Sequence, residues 1–284
     1  MKSIFLATDF SERSDRAFDR ALALASARNA TLHLGHVVDS DLPKAVGDAQ
    51  EKAASAQLER FAEAAKAAGI ECVLCVTSGE PHDAIAQAAE EASADIIAIG
   101  VHRRDPLRNA FVGTTAERLI RTTSTPVLVV RRSEPKDYQS CAVAVNIAEE
   151  GMAHVEKLTA LELCDRQNLT LIHAYDDGQF NLMRRAGTSR ADLKAIFEEE
   201  KNEITPLIND MMRKLGLDPS QAIIAANYYN TPDTILKAAT QVKADLLVVG
   251  VRRRTAFKRY TLGSVSEGCL LQSEIDLLIL PPVI

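Results

Sequence analysis

The chain is poor in the features that would class it quickly. Its 284 residues include five cysteines, Cys72, Cys75, Cys141, Cys164 and Cys269. An odd, scattered set gives no disulfide framework and fits a reducing compartment. Cys72 and Cys75 have CxxC spacing but lie on an expected strand. Residues three apart on a strand point to opposite faces, which argues against a redox or metal pair. No apolar run approaches the ~18–20 residues of a membrane span. The apolar run before Asp9 is too short for a secretory signal. The expectation is a cytoplasmic protein with no membrane partner. Also lacking are the zinc-protease helix motif, the nucleophile elbow, the Walker A loop and the GxGxxG fingerprint. A net charge of −6 argues against a general nucleic-acid binder.

What is present is alternation. Apolar residues make up 46% of the chain, enough for real cores. The length corresponds to roughly two domains at about 100–200 residues each. Ile4–Ala7 reads as a buried strand ending at Thr8-Asp9-Phe10-Ser11. A helix follows from about Glu12 to Asn29, with Asp9 or Ser11 as its cap. Thr31–Val38 is the next strand. An Ala-rich helix stops at Gly69, and Glu71–Thr77 is a third strand. Pro81 opens another helix. Strands alternating with helices imply right-handed crossovers and a parallel sheet covered on both faces. The unbroken apolar runs Ile96–Ile99 and Val127–Val130 fit strands buried on both sides.

The most informative stretch runs from Ala94 to Arg131. It reads as an apolar strand ending in Gly100, a basic loop, Gly113-Thr114-Thr115, an amphipathic helix and a last strand. The same order recurs from Ala244 to Leu280, where Gly250 matches Gly100 and Gly263-Ser264 matches Gly113-Thr114 at one constant offset. Upstream, LTLIHAY (Leu169–Tyr175) matches LHLGHVV (Leu32–Val38), which aligns His173 with His36 and sets Asn146 opposite Asp9. Both histidines end apolar strands, the usual place of satisfied structural histidines. A polar linker with proline, residues 133–137, separates the copies. The expected domains are therefore residues 1–132 and 138–284, a duplication too long in period for a solenoid. In the second copy a charged helix is expected to run to about Leu215, with a kink at Pro206.

These residues resemble the universal stress protein family in its tandem two-domain form. The resemblance covers nearly the whole chain. It rests on Ala7-Thr8-Asp9-Phe10-Ser11, on His36-Val37 and His173-Ala174, and on the duplicated fourth-strand region. It implies an α/β fold of two similar domains, each a five-stranded parallel sheet in the order 3-2-1-4-5 with helices on both faces. Some members bind ATP through a glycine, two residues, a glycine, nine residues, then glycine and Ser/Thr. Here the spacing is kept as Gly100, Arg103, Gly113, Thr114 and as Gly250, Arg253, Gly263, Ser264, with arginine at the middle position in both copies. Arginine disfavours the left-handed loop that glycine allows, yet it can hold phosphate bidentately.

The implied crevice lies where strands 1 and 4 are neighbours with crossovers leaving in opposite directions. In the first domain it would use Thr8, Asp9, Val37, Gly100, Arg103, Gly113, Thr114 and Thr115. Adenosine would lie near Asp9 and Val37, and phosphates near the helix start at Gly113–Thr115. The weaker second-domain set is Val145, Asn146, Gly250, Arg253, Gly263 and Ser264, where an amide replaces the acid. Each feature also has a plain reading: Asp9 as a cap, the glycines as strand ends, Thr114 as a helix start, the arginines as solvated surface.

The first expectation is a stress-response binding or regulatory protein that is not an enzyme, requires no cofactor and holds no metal. One alternative is an adenine-nucleotide switch or slow ATPase through the first domain. Another is a binder of a different metabolite or a lipid-like ligand. The resemblance further implies that the two domains pair through their fifth strands, Pro126–Val130 beside Leu277–Leu280. A further homodimer and an unknown partner protein are compatible with it.

Overall fold

The structure is a computed structural model that describes residues 1–101, 114–132, 136–147, 149–175, 183, 186–227, 230–251 and 262–282. The expected positions Arg103, Gly113 and Arg253 lie outside them. The chain forms two compact units. The first comprises Met1–Asp137 with Glu274–Pro282, and the second comprises Tyr138–Gly250 with Gly263–Ser273.

In the first unit the elements alternate as β1 (Ser3–Ala7), α1 (Glu12–Arg28), β2 (Thr31–Val38), α2 (Lys44–Ala67), β3 (Cys72–Ser78), α3 (Pro81–Glu91), β4 (Ile96–Gly100), α4 (Thr115–Thr122) and β5 (Val127–Val130). The strands lie in the order β3-β2-β1-β4-β5, all parallel. This is the 3-2-1-4-5 order the resemblance implied. The reason is visible in burial. Ile4, Phe5, Leu6, Ile96, Ile97 and Ala98 are almost fully buried, so β1 and β4 need cover on both faces and sit in the middle. The helix ends use backbone chemistry. Asn29 closes α1 in the left-handed conformation, and Gly69 follows α2 with φ +76°.

The second unit repeats the pattern with β6 (Cys141–Ala144), α5 (Glu149–Leu161), β7 (Leu169–Tyr175), α6 (Arg190–Lys214), β8 (Ala222–Ala226), α7 (Thr231–Gln241), β9 (Leu246–Gly250) and α8 (Ser264–Gln272). Its strands run parallel in the order β8-β7-β6-β9. Helix α6 continues through Pro206 and buries Leu193 and Phe197 against Tyr175 and Ala226. Among the described residues no helix is long and apolar enough to cross a membrane.

The last strand, β10 (Asp276–Leu280), packs in the first unit. It pairs antiparallel with β5, Leu278 opposite Leu128. Its first residue explains part of this placement. Asp276 is fully buried and accepts the backbone N–H groups of Arg131 and Arg132 at 2.8 and 2.9 Å. Its other oxygen lies 3.1 Å from the buried Arg20 guanidinium of α1. Arg20 in turn donates to the Lys136 carbonyl. Arg131 is 4% exposed; burial pulls its pKa down to about 10 against the opposing pull of Asp276. A buried carboxylate thus ties α1, the end of β5 and the start of β10 together.

The Asp276→Ala variant removes the carboxylate and leaves a buried guanidinium without it, which costs about 3–5 kcal/mol. Urea unfolding of the purified variant should show that loss. A change under about 1 kcal/mol, the scale of an exposed pair, would mean that Arg20 finds water there.

Candidate functional site

Strand β1 has β2 on one side and β4 on the other. Its outgoing helix α1 and the helix that enters β4, α3, therefore cover opposite faces, and the sheet opens between them at the C-terminal ends of the strands. A cavity of about 230 Å³ lies there. Thr8 and Asp9 enter it from the end of β1, Val37 from β2, Gly100 from β4 and Thr115 from the first turn of α4. Five residues that sequence reasoning named from four separate segments thus meet at one opening. Thr114 directly precedes Thr115 but does not line the cavity. It is the N-cap of α4, and its hydroxyl accepts the Glu117 N–H at 3.3 Å. The plain reading of Thr114 as a helix start is the observed one.

Asp9 is neither free nor a simple cap. Ser11 holds the N-cap position of α1 without a side-chain cap bond. It gives its N–H to Asp9 Oδ1 at 3.1 Å, and its hydroxyl also donates to that oxygen. The Ser14 hydroxyl donates to the same oxygen, and the Asp9 N–H returns a bond to Ser14 at 3.1 Å. The second oxygen takes Arg13 at 2.6 Å. Partial burial works to raise the carboxyl. The hydrogen bonds from Ser11, Ser14 and Arg13 outweigh it and hold Asp9 well below the usual carboxylate range. The result is a fixed anion with a cation beside it at the rim of the cavity.

Gly100 has a clear reason to be glycine. A Cβ there would stand 2.0 Å from the Arg13 carbonyl oxygen of α1. The strand end and the first turn of α1 touch backbone to backbone, and that contact forms one corner of the opening. Gly35, also on the lining, is forced in the same way by the Phe5 ring, 2.3 Å from its missing Cβ.

Sequence reasoning missed the far wall. Pro81 and Ile85 of α3, Ser14 of α1 and Leu119 of α4 also line it. The turn before Pro81 marked a helix start, but nothing in it pointed at the crevice. His36 also lines it, and here the structural reading holds. Its Nδ1 is 2.9 Å from the Thr8 carbonyl, and its ring stacks on Phe10 with centroids 4.5 Å apart. A carbonyl only accepts, so Nδ1 carries the proton.

The second unit keeps the scaffold and changes the floor. His173 Nδ1 is 3.0 Å from the Val145 carbonyl, the counterpart of the His36 bond. Burial lowers the pKa of His173, with that carbonyl pulling the other way. Asn146 packs at the first turn of α5, where a Cβ on Gly151 would meet its carbonyl oxygen at 2.2 Å. Beneath Gly250 lies the ring of His154, 2.1 Å from where a Cβ would be. In the first unit backbone holds the matching place, and the residue aligned with His154 is Ala17. Gly263 caps α8 without a side chain, and Ser266 of that helix donates to the Gly250 carbonyl at 2.7 Å. Among the described residues the second set is therefore built around a buried imidazole and an amide, without the anion–cation pair of the first.

Known proteins bear on this arrangement. A model described as the universal stress protein family matches residues 1–131 and 139–281. A Staphylococcus aureus (strain USA300) protein that carries the universal stress name is 32% identical over 159 residues, covering 52% of this chain and 96% of its own. In fold, the chain is similar to a universal stress protein from Archaeoglobus fulgidus, with a TM-score of 0.73 at 17% identity over 98% of both chains. It is also similar to a functionally unknown protein from Pseudomonas aeruginosa PAO1, with a TM-score of 0.72 at 19% identity over 99% of this chain and 93% of that one.

Two outcomes follow from the site. Gly100→Ala should destabilise the protein by about 1–3 kcal/mol, since backbone and not a flexible side chain stands in the way. Unchanged stability in urea would mean that α1 can retreat from β4. For Asp9 the depressed pKa fixes the sign. Its contribution to stability is fully present above its ordinary value of 3.8 and is lost only as pH falls toward the lower folded value. Carboxyl NMR shifts should show Asp9 still ionised at about pH 3, where ordinary aspartates have largely protonated. Titration with the ordinary carboxyls would contradict the bonding described.

Proposed function

Since the chain belongs to the universal stress protein family, with a match to it in each half, we propose that it is a two-domain ligand-responsive binding protein whose working crevice is that of the first domain. The ligand class is a nucleoside or adenine nucleotide, the class that some family members take. The observation that carries this reading is the convergence of Thr8, Asp9, Val37, Gly100 and Thr115 on one cavity of about 230 Å³. That size is slightly below the ~300–1,000 Å³ of typical drug-sized sites and suits a small ligand. Val37 and Leu119 offer apolar contact to a base, Asp9 an acceptor for a hydroxyl, and the start of α4 an electropositive end for a phosphate.

The same geometry favours binding over catalysis. A general base works best with a pKa near the operating pH. Asp9 is held far below it, and His36 has committed one nitrogen to the Thr8 carbonyl. The site therefore has the character of a sensor, and the changed floor of the second unit supports a division of labour between the halves.

Isothermal titration of the purified protein with ATP, AMP and adenosine tests the reading. Saturable binding to one site per chain is expected. The Val37→Trp variant, which fills the cavity, should weaken it at least about tenfold (~1.4 kcal/mol) with the circular dichroism spectrum unchanged. No heat at millimolar ligand, or binding indifferent to Val37→Trp, would overturn the assignment.

A further inference from the structure

At the opposite end of the second sheet from Val145 and Asn146, two cysteines from separate segments meet. Cys141 is the first residue of β6 and is fully buried. Cys164 lies in the turn after α5 and is half-buried. Its thiol reaches the carbonyl of Asp165 at 3.4 Å and that of Asn168 at 3.5 Å. Asn168 directly precedes Leu169, and Leu169 is the residue paired with Cys141 across the strands. This register and that contact bring the Cys164 sulfur close to the start of β6. Cys141 is also the leading influence on the Cys164 thiol, acting through its side chain and its backbone.

We propose that Cys164 and Cys141 form a peroxide-sensitive thiol pair, in which Cys164 is the residue attacked and Cys141 the one that resolves it into an intramolecular disulfide. The bookkeeping is that of a two-electron oxidation. The Cys164 thiolate attacks one oxygen of a hydroperoxide, the O–O bond breaks, and water or an alcohol leaves; the sulfur becomes a sulfenic acid. The Cys141 thiol then attacks that sulfur, the S–O bond breaks, and a second water leaves. Two thiols are oxidised by one hydroperoxide, and a dithiol reductant reverses the change.

The surroundings set the order of events. The hydrogen bond from Cys141 leads in lowering the pKa of Cys164. Burial and the charges of Asp245 and Asp165 oppose it. Elsewhere burial pushes the thiols up, Cys72 to about 11 and Cys269 to about 12, and raises Cys75 as well. The thiolate is the nucleophile, so Cys164 has the advantage over those three. Its partial exposure admits a small oxidant, and the buried Cys141 is reached only through it. Closing an S–S bond of about 2.0 Å brings the two sulfurs together by side-chain movement. Cytosolic disulfides of this kind are typically transient and redox-sensing. Cys72 and Cys75, three apart on β3, point to opposite faces of the sheet.

The test is peptide mapping of the whole protein after brief exposure to hydrogen peroxide and blocking of residual thiols. A Cys141–Cys164 linked peptide is expected, two hydrogens lighter than the reduced pair and lost on adding dithiothreitol. Cys164 should be consumed at least tenfold faster than Cys72. In Cys141→Ala the resolving thiol is gone, and dimedone should trap Cys164 as its sulfenic acid. In Cys164→Ser, Cys141 should stay reduced. Recovery of both cysteines as free thiols while Cys72 or Cys75 is oxidised would overturn the proposal. So would linkage of Cys72 to Cys75, or linkage only between chains. The wild-type map decides the matter even if a variant folds poorly.

Discussion

The architecture of the first unit depends on the central position of β1, which has parallel neighbours on both sides. Right-handed crossovers then carry α1 to one face and α3 to the other. Among the described residues an opening is left at the strand ends between them. Its shape follows from close contacts. Gly100 lets the backbone of β4 touch that of α1, and Gly35 makes room for Phe5 beneath β2. The same turn that makes the corner carries Asp9, Ser11, Arg13 and Ser14, whose mutual bonds fix a charge at the rim. Fold and site are here one set of constraints.

The second unit shows what happens when the scaffold is kept and the rim is not. The histidine-to-carbonyl bond at the end of the first strand is preserved, as His36 to Thr8 and as His173 to Val145. That bond is structural and survives duplication. The carboxylate cluster has no counterpart at Asn146, and the His154 ring stands beneath Gly250 where the first unit has backbone. Identical glycine positions thus answer different neighbours. A glycine in a motif marks a close approach, and what approaches is decided elsewhere in the chain.

Much of this was legible in the sequence. Apolar runs, Gly69, Pro81 and the repeat gave the strands and a parallel sheet, because each signal is local or periodic; the strand order came from the family resemblance. The meeting of Thr8, Asp9, Val37, Gly100 and Thr115 was implied by the family resemblance, whose strand order brings these strand ends together. Other features were not. The bonding of Asp9 needs Ser14 in the first turn of α1 and Arg13 folded back, and no local pattern in the sequence announced it. The Asp276 carboxylate binds the N–H groups of Arg131 and Arg132, more than 140 positions away; no local pattern encodes such a pairing. The contact of Cys141 with Cys164 depends on strand register in the same way.

The central claim is that the first unit carries the ligand site and the second does not share it. A crystal structure grown with a non-hydrolysable ATP analogue tests this most directly. The account predicts density with a base against Val37, a ribose beside Asp9 and phosphates at the start of α4. Density beside Asn146 and Gly250 instead, or a first crevice holding only water at saturating analogue, would contradict it.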